Sequence, residues 1–67
     1  MRAEFLQARA KDSPDELAKA FTATLRDFGY PVTQEYVRQY IQHWLDGQPP
    51  HGGPEMFIHG WLTDGMS

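Results

Sequence analysis

The chain has no cysteine among its 67 residues, so neither a disulfide nor a thiolate zinc site can support it, and a reducing interior is the setting this favours. It has no long hydrophobic run either: the longest is Met56-Phe57-Ile58, against the roughly 20 apolar residues of a membrane-spanning helix. Residues 1–10 mix Arg2, Glu4, Gln7 and Arg9 with Phe5 and Leu6 and lack the continuous apolar stretch of a secretory signal. A soluble, cytoplasmic protein is expected. Positive charge is scarce where it would matter most. Residues 1–28 are balanced, whereas residues 29–67 set Arg38 alone against Glu35, Asp46, Glu55 and Asp64, so that half carries the whole net charge of −3. Nucleic-acid affinity grows with the number of phosphates neutralised, which disfavours a DNA or RNA partner. No period-2 run of β-branched residues exists, and strands are excluded with it.

What is present is helical punctuation. Ser13-Pro14-Asp15-Glu16 offers an N-cap hydroxyl, a proline at the first helical position and acidic residues for the positive end of the helix dipole. Leu17, Phe21, Leu25 and Phe28 recur at helical spacing, and Gly29 before Tyr30-Pro31 supplies a stop, so a helix is predicted over 14–28. Thr33 caps a second, over 34–46. Its Tyr36, Val37, Tyr40, Ile41, Trp44 and Leu45 fill half the helical wheel, wide enough to need at least two neighbouring helices. The loop Gly47 to Gly53 has five Gly or Pro residues of seven and breaks the chain before a third helix over 54–63, with Phe57, Ile58, Trp61 and Leu62 as its stripe. Gly60 inside that helix costs up to about 1 kcal/mol relative to alanine, which a packing reason such as a close approach to helix 34–46 would justify. Residues 2–11 are good helix formers with only Phe5 and Leu6 to bury, so residues 1–12 are either a docked helix or a loose arm, and Met66-Ser67 is expected to fray. The fold class is all-α: three helices in a small orthogonal or up-down bundle, plus the N-terminal segment, in one domain over 1–67.

Catalytic and metal signals are weak. His43, His51 and His59 are eight residues apart, and Glu55 with His59 stands at i, i+4, but no ligand spacing repeats, and three solvated imidazoles with no metal are the expectation. Asp15, Glu16 and Glu55 all lie in first turns, where the helix dipole accounts for them. With no nucleophile motif or phosphate-cradling loop, no enzyme, cofactor or small-molecule substrate is expected.

Two likenesses are carried by particular residues. Phe21 to Ile41 resembles a helix-turn-helix unit, with Leu25 and Phe28 in its first helix and Val32, Thr33, Val37 and Tyr40 in its turn and second helix. Pro31 and a turn roughly two residues longer than usual depart from that pattern. The resemblance implies DNA recognition through Gln34, Arg38, Gln39 and Gln42. Phe28-Gly29-Tyr30 and Trp61-Leu62 resemble the loop and last helix of ubiquitin-associated domains, which implies a compact three-helix architecture.

The reading preferred over DNA binding is a small acidic protein-interaction module: an adaptor, a regulator or a self-associating domain. Tyr36 and Tyr40 at the margin of the second helix, Met56 opposite the stripe of the third and Tyr30 at the adjoining corner are its predicted contact rim. The partner is another protein or a second copy of the chain.

Overall fold

The computed structural model describes residues 2–66, and these form four helices: α1 (Ala3–Asp12), α2 (Pro14–Asp27), α3 (Gln34–Leu45) and α4 (Pro54–Asp64). The three helices read from the sequence are present, and the N-terminal segment is a fourth helix docked on the others; of the two residues expected to fray, Met66 instead packs partly buried against the core, and Ser67 lies outside the described residues. No strand occurs among the described residues. The radius of gyration, 10.5 Å, matches the roughly 11 Å of a fully packed chain of this length, which leaves no room for a detached arm.

The helix ends follow from local chemistry, with one departure. The Thr33 hydroxyl accepts from the Tyr36 N–H at 3.1 Å and caps α3. Ser13 makes no such side-chain bond. Instead its backbone serves two helices at once: its N–H donates to the Arg9 carbonyl at 2.7 Å, closing α1, while its carbonyl accepts from the Leu17 N–H at 3.1 Å, opening α2. At the far ends of α2 and α3 the chain turns twice in the same way. Gly29 and Gly47 adopt φ of 98° and 81°, and Tyr30 and Gln48 donate to the Leu25 and His43 carbonyls at 3.0 and 2.9 Å, satisfying acceptors that a helix end leaves free.

α3 packs against each of the other helices, as its wide apolar arc requires, and α1 bridges α2 and α4. The interior comprises Leu6 and Ala10 from α1, Leu17, Ala18, Phe21 and Leu25 from α2, Val37, Tyr40 and Ile41 from α3, Ile58 and Leu62 from α4, and Val32 from the connection. The Gln7 amide donates to the Leu62 carbonyl at 2.7 Å and ties α1 to α4. Arg9 meets Glu16 across the α1–α2 corner at 2.9 Å.

Three expectations about burial are corrected. Tyr40 is 4% exposed and belongs to the core, because its position on α3 faces into the bundle between Val37 and Ile41. Phe28 and Phe57, read as core residues from their spacing, are 57% and 40% exposed. Gly60 makes no close approach to α3: a methyl group built there meets no atom within 4 Å.

Because Gly60 has a helical conformation and open space around it, Gly60→Ala is expected to stabilise the fold by about 1 kcal/mol, raising the melting temperature by roughly 4–8 °C in a domain of this size. Thermal unfolding followed by circular dichroism measures this. The Tyr40 hydroxyl is buried without a hydrogen-bond partner among the described residues, so Tyr40→Phe should leave stability unchanged or raise it by up to about 1 kcal/mol. Urea unfolding tests it, and a loss above about 1 kcal/mol would show that the hydroxyl is bonded.

Candidate interaction surface

Five aromatic rings run from the interior to the surface where the end of α2 meets α4. Phe21, in the core, lies 4.9 Å from Trp61 between ring centroids. Trp61 stands 6.0 Å from Phe57 and 6.4 Å from Phe28, Phe28 and Phe57 are 5.5 Å apart, and Tyr30 meets Phe57 edge-on at 5.7 Å. These tilted and edge-on contacts suit the ring quadrupoles and hold the side chains in place without covering them. The turn after α2 explains the exposure. With Tyr30 bonded back to Leu25, Tyr30 is drawn partly inward and Phe28, at the C-cap, is left outside.

Tyr30 also joins this cluster to a neighbouring groove of about 390 Å³, lined by Tyr30, Pro31, Val32, Thr33, Tyr36 and Pro54. The structure thus brings together two of the four predicted rim residues, Tyr30 and Tyr36. It separates the others: Tyr40 is buried, and Met56, 55% exposed, lies on the outer face of α4 and not in the groove. Of the residues on which the likeness to ubiquitin-associated domains rests, Phe28, Tyr30 and Trp61 belong to one ring cluster, and Leu62 lies in the core.

One residue of the groove, Tyr36, is bonded to a buried carboxylate. Glu55, read from the sequence as a dipole-stabilising first-turn residue, is only 9% exposed and is the hub of a small polar network. One of its oxygens accepts from the Tyr36 hydroxyl at 2.5 Å. The other accepts from the His51 backbone N–H at 3.0 Å and stands 3.2 Å from His51 Nδ1. Burial pushes the Glu55 carboxyl up, but the hydrogen bonds from Tyr36 and the His51 backbone, together with the His51 imidazole, outweigh it and hold the group below its ordinary range. The hydrogen bond to Glu55, then burial and the carboxylate's charge, push Tyr36 up to about 12. Burial and the charge of Glu55 also raise Tyr40.

The histidines are not equivalent. His51 is exposed and pairs with Glu55, and His43 is exposed beside a small cavity with Tyr36, Gln39, Tyr40 and Glu55; His59 Nδ1 is buried without a partner among the described residues, so the picture of solvated imidazoles is corrected for His59. Among the described residues no three His, Asp or Glu side chains converge on a point that could hold a metal ion. No helix among them is long and apolar enough to cross a membrane.

The polar face of α3 is engaged within the molecule. Arg38 Nε donates to Asp15 Oδ1 at 3.0 Å, Gln34 donates to the Asp15 carbonyl at 3.3 Å, and Gln42 donates to Asp46 at 3.2 Å. Of the residues that the helix-turn-helix likeness points to, three therefore bind acidic or carbonyl oxygens of the same chain.

The pH dependence of the Glu55 network has a definite sign. A carboxyl lowered by folding contributes stability that is complete above its ordinary value of 4.5 and is lost as pH falls through the lower folded value. A tyrosine raised by folding contributes stability that is complete below 10.0 and is lost as pH rises toward about 12. Glu55→Gln is expected to cost about 1–3 kcal/mol at neutral pH, with the gap to the parent protein closing in acid. Urea unfolding across pH measures it, and a gap independent of pH would remove the carboxylate's charge from the account.

Compared with models of protein families, with curated proteins and with solved structures, the chain matches none.

Proposed function

We propose that this protein is a small acidic docking module that binds another protein, or a second copy of itself, through the joined surface of Phe28, Tyr30, Tyr36 and Phe57, and that it performs no catalysis. The observation that carries the reading is the open ring cluster: aromatic side chains in mutual contact, with more than half of Phe28 facing solvent. Rings already held by their neighbours lose little side-chain freedom on binding, and aromatic residues dominate the energetic centres of protein interfaces. Relative to the rim expected from sequence, Tyr40 is removed and Phe28 and Phe57 take its place. A cytoplasmic setting goes with this reading and is supported by the lack of cysteine.

DNA binding through Gln34, Arg38, Gln39 and Gln42 has less support. Arg38, the only basic side chain on α3 apart from His43, is already paired with Asp15. It would supply one phosphate contact where tight binding needs several.

Replacing Phe28 and Phe57 together by serine removes rings that are about half covered and is expected to cost the fold about 2–5 kcal/mol and, with the variant shown by circular dichroism to remain helical, to weaken association about tenfold or more. Sedimentation of the purified chain and affinity capture from its host, each with parent and variant, measure the effect; association undiminished in the variant rejects the reading. Affinity for duplex DNA falling by about 10³ between roughly 50 and 200 mM salt would establish the DNA reading instead.

A further inference from the structure

Tyr36 belongs both to the groove and to the smaller cavity beside it, which measures about 70 Å³. Tyr36, Gln39, Tyr40 and His43 line that cavity from one stripe of α3, at i, i+3, i+4 and i+7, and Glu55 lines it from the first turn of α4. Gln39 and His43 are exposed, while Tyr40 and Glu55 are buried, so the lining runs from solvent into the interior. Two of its groups are unusual. No lysine or arginine pairs with the buried Glu55 among the described residues; its ionic neighbour is His51, 78% exposed and charged only when protonated. Held below its ordinary range, the carboxyl is ionised at neutral pH, and buried carboxylates are ordinarily matched by a cation. The second group is the Tyr40 hydroxyl, buried with no hydrogen-bond partner among the described residues.

We infer that the cavity between α3 and α4 binds a primary alkylammonium group, through the Glu55 carboxylate, the Tyr36 and Tyr40 hydroxyl oxygens and the Gln39 amide oxygen. The hydrogen-bonding inventory selects this chemistry. An ionised carboxylate only accepts, at about four lone-pair sites, and Glu55 uses them for the Tyr36 hydroxyl, the His51 N–H and His51 Nδ1, with room for one more donor. The Tyr36 hydrogen goes to Glu55, which leaves its oxygen able to accept, as the Tyr40 and Gln39 oxygens are. An ammonium supplies the complement: three donors, no acceptor and one positive charge. Other occupants fit less well. An anion would meet the Glu55 carboxylate, and water would leave its charge unmatched. A divalent metal needs several oxygen or nitrogen ligands, and no three His, Asp or Glu side chains converge among the described residues. The volume exceeds the roughly 10–15 Å³ that one water needs and falls well below the roughly 300 Å³ of a pocket for a whole metabolite. It therefore admits the head of an amine and leaves its stem outside. The inference goes beyond the docking reading and does not depend on it, since a lysine side chain of another protein and a free diamine present the same group.

The test titrates small probes into the isotope-labelled full chain and follows amide chemical shifts. The probes are acetyl-lysine methylamide with its side-chain amine free, the same compound trimethylated on that amine, its norleucine analogue, and diaminobutane. The trimethylated probe keeps the charge without donors, and the norleucine probe has neither. Desolvating both charges offsets most of their attraction, so the lysine probe or diaminobutane should move the Gln39, Tyr40, His43 and Glu55 signals with a dissociation constant of about 1–10 mM. The tighter of the two identifies the source of the amine. The trimethylated and norleucine probes should bind about tenfold more weakly. Glu55→Gln should abolish binding; because it also costs stability, Tyr40→Phe, which keeps the fold, supplies a second reading and should weaken binding about fivefold. The inference is overturned if the trimethylated or norleucine probe binds as tightly as the free amine, or if either variant binds as the parent does. It is overturned as well if neither amine moves these signals at about 50 mM, which would leave the cavity to water. None of these outcomes touches the docking reading, which stands or falls with the Phe28 and Phe57 double variant.

Discussion

Interior space is the constraint on which this molecule depends. The chain carries nine aromatic side chains, and its four short helices enclose two of them, Phe21 and Tyr40. In a domain of this length too little volume lies far from the surface to hide the remainder. Four of the other seven are not scattered. Phe28, Tyr30, Phe57 and Trp61 gather where α2 ends and α4 begins its second turn, anchored beneath by Phe21.

A second economy is polar. The seven-residue connection from Gly47 to Gly53 is rich in glycine and proline and forms no helix, so it has few backbone hydrogen bonds of its own. Glu55 substitutes for them by accepting from His51 on that connection and from Tyr36 on α3, binding loop, third helix and fourth helix through one carboxylate. The same group fixes the Tyr36 ring at the wall of the groove. Stability and the shape of the candidate surface are therefore linked through a single buried side chain.

Much of the fold was legible because the punctuation is chemical. Pro14 and Pro54 begin helices, Gly29 and Gly47 end them, and Thr33 caps α3, each for reasons that act within a few residues. The docking of α1 was not legible, since Leu6 and Ala10 become core only when α2 and α4 are there to receive them. The candidate site was half legible. Tyr30 and Tyr36 could be placed at the margin, but Phe28 and Phe57 share the spacing of buried residues, and periodicity does not reveal where an apolar stripe outruns its cover. Tyr40 failed in the opposite sense: its hydroxyl suggests an edge, and it lies inside without a partner for it among the described residues. Glu55 was misjudged because a first-turn carboxylate looks alike in sequence whether it faces water or a tyrosine.

The α1–α2 corner sets a limit of another kind. One residue, Ser13, finishes one helix and starts the next, with no slack on either side. An inserted residue would rotate everything before it by about 100°, carrying Leu6 and Ala10 off the face that meets α4. The corner can accept changes of side chain far more readily than a change of length, and engineering that lengthens it would trade a braced strut for a dangling one.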